Sequence, residues 1–322
     1  MRSIGLLTSG GDSPGMNATI RAVVRTAIRH GRRAVGILNG YSGLLAGQFE
    51  EMDVRSVGNI IQRGGTILGT SRCPEFHEVA GRARGIEQLR KHGIDALVVI
   101  GGEGSFKGAV KLQEESGIPI VGAAGTIDND IYGTDYSIGF DTAVNTALDA
   151  IDRLRDTAES HGRVFFVEVM GRHAGFIALE VGLAGGAVDI LVPEYPDDMD
   201  RLANHLLERR SRGRQSSIVV VSEGDELGGV FATAQEVSKR ITLDYRVAVL
   251  GHVQRGGAPT ARDRVLGTRM GAAAVRALIE GQHGCMAGEV GGKLVLTPLQ
   301  DTWQRVKPLD ADLYSLMHEL SG

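Results

Sequence analysis

Six short apolar runs, SIGLLTSGG, RAVGILNGY, DALVVIGGEG, PIVGAAGTIDND, RVFFVEVMGRHAG and SIVVVSEGDE, each end in glycine or a polar residue. Helix-patterned stretches lie between them: MNATIRAVVRTAIRHG, GIEQLRKHG, SFKGAVKLQEESG and NTALDAIDRLRDTAESHG. Strand, polar turn, helix, strand is the pattern of βαβ units, and it demands a parallel sheet with crossover helices on its faces. The uninterrupted apolar centres LVVI, VFFV and IVVV suit strands buried on both sides. Ligands of such sheets bind beyond the carboxyl ends of the strands, so the glycine and polar tails are where chemistry is expected.

A chain of 322 residues suits about two domains. Its 42% hydrophobic and 23% charged residues are those of an ordinary globular chain rather than a disordered one. Glycine stands out: 46 residues are roughly twice the usual share, which implies many turns where backbone approaches something closely. A net charge of −4 argues against a general nucleic-acid binder. Cys73 and Cys285 are too few for a disulfide framework or a four-ligand zinc site, and they fit a reducing compartment. MRSIGLLTSGG runs straight into a strand without a signal-peptide core, and no segment reaches the ~18 apolar residues of a membrane span. The expectation is a cytoplasmic protein with neither nucleic acid nor membrane as partner.

Three tails carry the candidate chemistry. In TSGGDSPGMNA, residues 8–18, Gly10 and Gly11 stand between strand and helix, where free amides can hold an anion or simply make a tight turn. LVVIGGEGSFKGA repeats the design with Gly101, Gly102, Glu103, Gly104 and Ser105. A carboxylate at a phosphate site makes sense if it holds a metal, because Mg²⁺ is usually bound by one or two carboxylates plus substrate phosphates. An acid in a first helical turn also complements the helix dipole, so Glu103 alone leaves both readings open. AGTIDNDIYGTDYSIG places Asp128 and Asp130 two apart after a strand, on one face of an extended segment. Such a pair can divide the work of general base and metal neighbour, although turns favour Asp and Asn on conformational grounds as well. Arg72, Arg163, Arg172, Arg246 and Arg255 each adjoin a strand-like or glycine-rich segment. Singly each reads as a surface ion pair; together their guanidinium forks suggest a ligand with several phosphates.

With TSGGDSPGMNA, GGEGS, GTIDND, MGRHAG and GHVQRGG in this order, nearly the whole chain resembles the ATP-dependent 6-phosphofructokinases of the bacterial type. GGEGS alone is a weak sign, since NAD kinases and lipid kinases carry a similar element; the last three motifs are specific. The resemblance implies two Rossmann-like three-layer α/β/α domains with mainly parallel sheets. Residues 1–138 plus 251–301 would form a larger ATP-binding domain, and 139–250 plus 302–322 a smaller one for fructose 6-phosphate. It implies transfer of the γ-phosphoryl group of ATP to the 1-hydroxyl of fructose 6-phosphate, with Mg²⁺.

Carried over residue by residue, the resemblance makes Asp128 the base, Thr126 a holder of the substrate and transferring group, and Arg72 the charge neutraliser. Gly11, Tyr41 beside the adenine, Arg72, Cys73, Gly102, Glu103, Gly104, Ser105 and Gly108 fall on ATP positions, with Glu103 toward the metal. Thr126, Asp128, Met170, Gly171, Arg172, Glu223, His252 and Arg255 fall on sugar-phosphate positions. Arg163 and Arg246 are implied to serve a neighbouring subunit's site, hence a homotetramer. An effector pocket for ADP or phosphoenolpyruvate is implied at Arg21, Arg25, Arg155, Arg212 and Arg214. Arg21 and Arg25, at i and i+4, share a helix face.

The chain departs from the family's pattern in places. Glu103 stands where GGDGS is usual, one methylene longer. Val188 replaces an acid associated with effector ADP and its metal, so weakened ADP activation is expected, with inhibition by phosphoenolpyruvate retained. Asp189 is next to it, but one residue along a strand points to the other face. His77 replaces a common nucleotide-contacting Arg and would either weaken ATP binding or make it pH-dependent. Gly104 and Gly125 favour ATP as donor, because pyrophosphate-dependent relatives carry Asp and Lys there. The rival readings are such a pyrophosphate enzyme, a kinase for NAD or a lipid, and a catalytically silent nucleotide or sugar-phosphate sensor.

Overall fold

The structure, a computed structural model, describes residues 1–214, 216–224 and 228–320. The chain begins β1 (Ser3–Ser9), α1 (Met16–Arg29), β2 (Arg33–Ile37), α2 (Gly40–Ala46), β3 (Phe49–Met52), α3 (Val79–Lys91), β4 (Ala96–Gly101), α4 (Glu103–Ser116) and β5 (Ile120–Ala124). It continues α5 (Phe140–His161), β6 (Val164–Val169), α6 (Phe176–Ala184), β7 (Asp189–Leu191), α7 (Met199–Ser211), β8 (Ser217–Ser222), α8 (Val230–Arg240) and β9 (Tyr245–Val249). It closes with α9 (Ala261–Ile279), β10 (Cys285–Val290), β11 (Lys293–Pro298), α10 (Asp301–Gln304) and α11 (Ala311–Leu320). Two compact units result. One comprises Met1–Ile127, Ile131–Thr142 and Arg255–Lys307; the other comprises Asp128–Asp130, Ala143–Gln254 and the chain from Pro308.

The first unit is built on a sheet of order β11-β10-β5-β4-β1-β2-β3. Its centre is parallel, and the edge strands β3 and β11 run antiparallel to their neighbours. After β1 the chain moves outward to β2, then returns to the other side of β1 for β4 and β5. That reversal is a topological switch point, where ligands of open α/β sheets bind. Ser9 and Gly101, the last residues of β1 and β4, are register partners there.

Both sheet faces are covered. On one, Ile4, Leu6, Val98 and Ile100 pack with Met16, Ile20 and Val23 of α1 and with Leu266, Met270 and Ala274 of α9. These helix positions repeat at three and four residues, the spacing of one helical face. Helices α1 and α9 approach closely because α9 carries Gly267 and Gly271. A Cβ at Gly267 would stand 2.6 Å from Thr19 Oγ1, and one at Gly271 would stand 2.7 Å from the Thr19 carbonyl oxygen. On the opposite face Leu7, Val35 and Val99 pack with Leu44, Leu89, Phe106 and Leu112.

The second unit has an all-parallel sheet of order β7-β8-β6-β9. Phe166, Val219 and Val221 of this sheet pack with Met199, Leu202 and Leu206 of α7 and Val230, Ala234 and Val237 of α8. Phe165, Val167, Ile190 and Val220 are buried too. Here α6 lies against β7 so closely that a Cβ at Gly182 would stand 2.2 Å from Ile190 Cγ2. Val169 and Ser222, the last residues of β6 and β8, are register partners.

Phe166, fully buried, is the largest side chain of this second core. Phe166→Ala is expected to cost about 3–5 kcal/mol, the range for an aromatic emptied from a close-packed interior, read from the urea midpoint.

Candidate active site

The β1 loop of the first unit is braced from several sides. Thr70 Oγ1 donates to the Gly10 carbonyl oxygen at 2.7 Å, and Thr8 Oγ1 donates to that of Gly69 at 2.8 Å. Asn17, buried on α1, donates through Nδ2 to the carbonyl oxygens of Arg63 (3.0 Å) and Gly64 (3.1 Å) and accepts from Ile67 N–H at 2.8 Å. This fastens the stretch leading to Arg72, whose side chain is exposed. Arg255 lies across the loop: its Nη1 donates to the Asp12 carbonyl oxygen at 3.2 Å, and a Cβ at Gly11 would stand 2.5 Å from that nitrogen. Asn17 went unremarked in the sequence although it lies inside TSGGDSPGMNA.

On the paired strand, Gly102 is the N-cap of α4 and Glu103 its first residue. Glu103 forms an i,i+4 ion pair with Lys107, whose Nζ stands 5.9 Å from the Trp303 ring centroid. A partly exposed pair of this kind is worth at most about 1 kcal/mol, so the carboxylate can exchange Lys107 for a stronger partner. A single carboxylate at a helix start flanked by glycines fits Mg²⁺ carried by phosphates, not a cage built by protein. The structure offers no such cage, since no group of three or more His, Cys, Asp or Glu side chains placed to hold a metal occurs among the described residues.

Tyr41 is buried, stacks on Phe76 with centroids 3.9 Å apart, and donates to the Ser105 carbonyl oxygen at 2.6 Å. Burial holds its phenol above the ordinary range. A Cβ at Gly108 would lie 3.1 Å from Tyr41 and 3.2 Å from Phe76, so the pair packs directly on α4 backbone. Cys73, half buried, packs against the same cluster. His77 is exposed at the end of the 3₁₀ turn Pro74–His77. A Cβ at Gly104 would meet nothing within 4 Å, whereas one at Gly125 would stand 3.2 Å from both Ile100 and Met16. Beyond β5, Thr126 is buried and its carbonyl oxygen accepts from Ser137 Oγ at 2.6 Å.

In the second unit, Asp128 is buried and Asn129 has a left-handed backbone, φ 56°. Met170, Gly171 and Arg172 follow β6, and Glu223 follows β8. Arg172 is held at φ 59°, a conformation that costs a non-glycine residue of order 1 kcal/mol or more, and its N–H donates to Glu223 Oε1 at 2.6 Å. Gln254, fully buried in the 3₁₀ turn Gly251–Arg255, accepts from Met170 N–H at 2.9 Å; its role was not foreseen. His252 of that turn is exposed.

Arg163 and Arg246 lie elsewhere. Arg163 precedes β6, and Arg246 is the register partner of Phe165, so both sit at the amino end of strands whose carboxyl end carries Met170–Arg172. Six residues of strand span about 20 Å. Both guanidiniums bind Asp244, at 2.8 and 2.6 Å, and these bonds, Arg163's first, keep its carboxyl below the usual range.

Arg155 and Arg214 line a cleft of about 720 Å³ in the second unit, together with Arg209, Ser160 and His161. Burial, then Arg214, Arg155 and Arg212, lower the pKa of Arg209. Arg212 pairs with Glu208 at 2.6 Å. Arg21 and Arg25 lie on the outer face of α1 in the first unit. Val188 is buried among Leu202 and Leu206, while Asp189, also buried, is bound by Arg201 at 3.2 Å and does not line the cleft. No helix of the described residues is long and apolar enough to cross a membrane.

Comparison with known proteins bears on the family of the chain. The family model "Phosphofructokinase" matches residues 3–278. ATP-dependent 6-phosphofructokinase 1 of Thermus thermophilus is 56% identical over 321 residues, covering 100% of both chains. Among solved structures, phosphofructokinase from Saccharomyces cerevisiae superposes with a TM-score of 0.89 at 38% identity, over 94% of this chain and 45% of the yeast chain, so this chain spans less than half the yeast length. A pyrophosphate-dependent phosphofructokinase from Marinobacter aquaeolei gives a TM-score of 0.84 at 26% identity, over 97% of this chain and 86% of its own. A family match over most of the chain, joined to a full-length relative at more than half identity, means that this chain belongs to the phosphofructokinase family.

Proposed function

We propose that this chain is an ATP-dependent 6-phosphofructokinase, transferring the γ-phosphoryl group of ATP to fructose 6-phosphate and releasing fructose 1,6-bisphosphate and ADP, a step of glycolysis. One observation carries the reading: the two glycine turns, Gly10–Gly11 and Gly102–Ser105, extend from the register partners Ser9 and Gly101 at the reversal of the first sheet. There, two stretches of glycine backbone lie side by side and α4 begins, which suits a polyphosphate. The full-length likeness to an ATP-dependent enzyme supports the same donor. Open space at Gly104 supports it further, leaving room for a nucleotide's α-phosphate where an Asp would repel it.

In this reading the first unit binds ATP and the second binds fructose 6-phosphate. The amides of Gly11 and Gly102–Ser105 hold the phosphates, Tyr41, Cys73 and Gly108 border the adenine, and Arg72 spreads the charge that develops as the γ-phosphoryl leaves. Bound at Glu103, Mg²⁺ would neutralise charge on the β- and γ-phosphate oxygens. Asp128 takes the proton of the sugar's 1-hydroxyl, and Thr126 helps hold the substrate. Glu223 fixes Arg172 by accepting its N–H, so the costly backbone at 172 aims its guanidinium at the sugar phosphate together with His252 and Arg255.

The position of Arg163 and Arg246, about 20 Å along the strands from Arg172, supports their use in a neighbouring subunit's site within a homotetramer. The arginines around the 720 Å³ cleft, with Arg21 and Arg25 from another subunit, support an allosteric site for ADP or phosphoenolpyruvate. With Val188 sealed in the core, position 188 offers that site no acid to carry the metal of ADP, which favours phosphoenolpyruvate.

Turnover of fructose 6-phosphate is expected with ATP and not with pyrophosphate in a coupled aldolase assay. Turnover with pyrophosphate alone would make it a pyrophosphate enzyme, and turnover with neither a sensor. Asp128→Asn should lower kcat by roughly 10²–10⁴, the usual worth of a positioned base. Glu103→Asp should keep Mg²⁺ dependence and Glu103→Ala raise the Mg²⁺ concentration required; an unaltered alanine variant would remove Glu103 from the metal site. Tetramers reassembled from Arg163→Ala and Asp128→Asn subunits should recover activity that neither parent has, and no recovery would mean that sites are not shared.

A further inference from the structure

Asp263 has no part in the chemistry just described, yet it is a fully buried carboxylate in the first turn of α9. Its Oδ1 accepts from Gly139 N–H at 2.8 Å, and its Oδ2 accepts from Thr142 N–H at 2.8 Å and Thr142 Oγ1 at 2.5 Å. The N-cap residue Thr260 grips the same stretch: its Oγ1 donates to Asp141 Oδ2 at 2.6 Å and its N–H to Thr142 Oγ1 at 3.0 Å. The start of α9 therefore acts as a clamp on residues 139–142, all within the first unit.

What the clamp holds is the support of Thr126. Ser137, buried, donates through Oγ to the Thr126 carbonyl oxygen at 2.6 Å. Next to it, Ile138 N–H donates to the Ala124 carbonyl oxygen at 2.8 Å, and Phe140 N–H closes a turn onto Ser137 at 3.2 Å. Gly139 has φ 104°, and a Cβ there would stand 2.5 Å from Ser13 Cβ, so the stretch has little room to shift. A path of hydrogen bonds and intervening backbone thus runs from Asp263 through residues 139–142 to Ser137 and Ile138, then to the backbone at the end of β5.

A fold needing only a plug here would be served by a neutral side chain. Burial, with Asp141 adding to it, raises the carboxyl of Asp263 to about 6 against the hydrogen bonds that lower it, so the charge is kept at a cost. The neighbouring arginines are engaged elsewhere: Arg262 lies 3.4 Å over the Tyr136 ring centroid, and Arg264 donates to the Pro259 carbonyl oxygen at 2.8 Å.

We propose that Asp263 is a positioning residue for phosphoryl transfer: by clamping residues 139–142 it fixes Ser137 under Thr126, and so sets the direction in which the chain leaves β5 toward Asp128. The inference rests on the phosphofructokinase reading above. A misplacement of about 1 Å near reacting groups costs on the order of 10²-fold in rate, which is what loosening the clamp should produce.

The test compares wild type, Asp263→Asn, Ser137→Ala and the double variant, with fructose 6-phosphate and ATP. Asparagine keeps the volume but has one acceptor oxygen, so it cannot accept from Gly139 N–H and Thr142 N–H together. Each single variant is expected to lose roughly 10–100-fold in kcat with the KM for ATP changed less than about twofold, and the double variant to be little worse than the poorer single, because both cut one path. Unaltered kcat in the folded single variants, or losses that multiply in the double, would overturn the role. If Asp263→Asn does not fold, Thr142→Val paired with Ser137→Ala interrogates the same path with the same outcomes. Absence of wild-type turnover overturns the functional reading itself, and with it this role.

Discussion

The structure depends most on the register of β1 against β4. Six consecutive pairs, from Ile4–Ala96 to Ser9–Gly101, place two glycine turns side by side at the carboxyl end of the parallel strands. Because strands buried on both faces present apolar side chains in both directions, slipping this register by one residue would bury the wrong set against α1 and α9 and misalign both turns together. The position of the proposed polyphosphate site is thereby tied to the stability of the core, and one set of contacts serves both.

The strands easiest to read were those buried on both faces. β1, β2, β4, β5, β6 and β8 follow the apolar runs, because such strands have no solvent side to interrupt the hydrophobic pattern. The antiparallel edge strand β3, FEEM, exposes Glu50 and Glu51 and carries no such mark. β7 is only DIL, and the β10–β11 hairpin is partly exposed, so neither announces itself by composition. Helix α4 begins at Glu103, two residues before its sequence pattern, because Glu103 and Gly104 read as loop until tertiary packing extends the helix.

Among the site residues, legibility follows the distance over which a side chain acts. Glycine turns and acidic tails are local, and their spacing stands in the sequence. Asn17, Gln254 and Asp263 act on backbone 46 to 124 residues away, so neither spacing nor periodicity could single them out. They are ordinary polar residues in sequence and become structural keys only where two distant segments meet. The same holds for Arg209, which looks like one more cation of α7 until it joins Arg155 and Arg214 at one cleft.

The contact between α1 and α9 has a mechanical consequence. Across most helix interfaces, side chains act as springs, since a rotamer change can absorb a displacement of a few tenths of an ångström. At Gly267 and Gly271 α9 itself has no side chain to yield, and it meets the short Thr19 side chain at the first and the Thr19 carbonyl oxygen at the second. With so little side chain between them, the two helices are seated as one stiff layer over the sheet, and neither can be displaced far without moving the other.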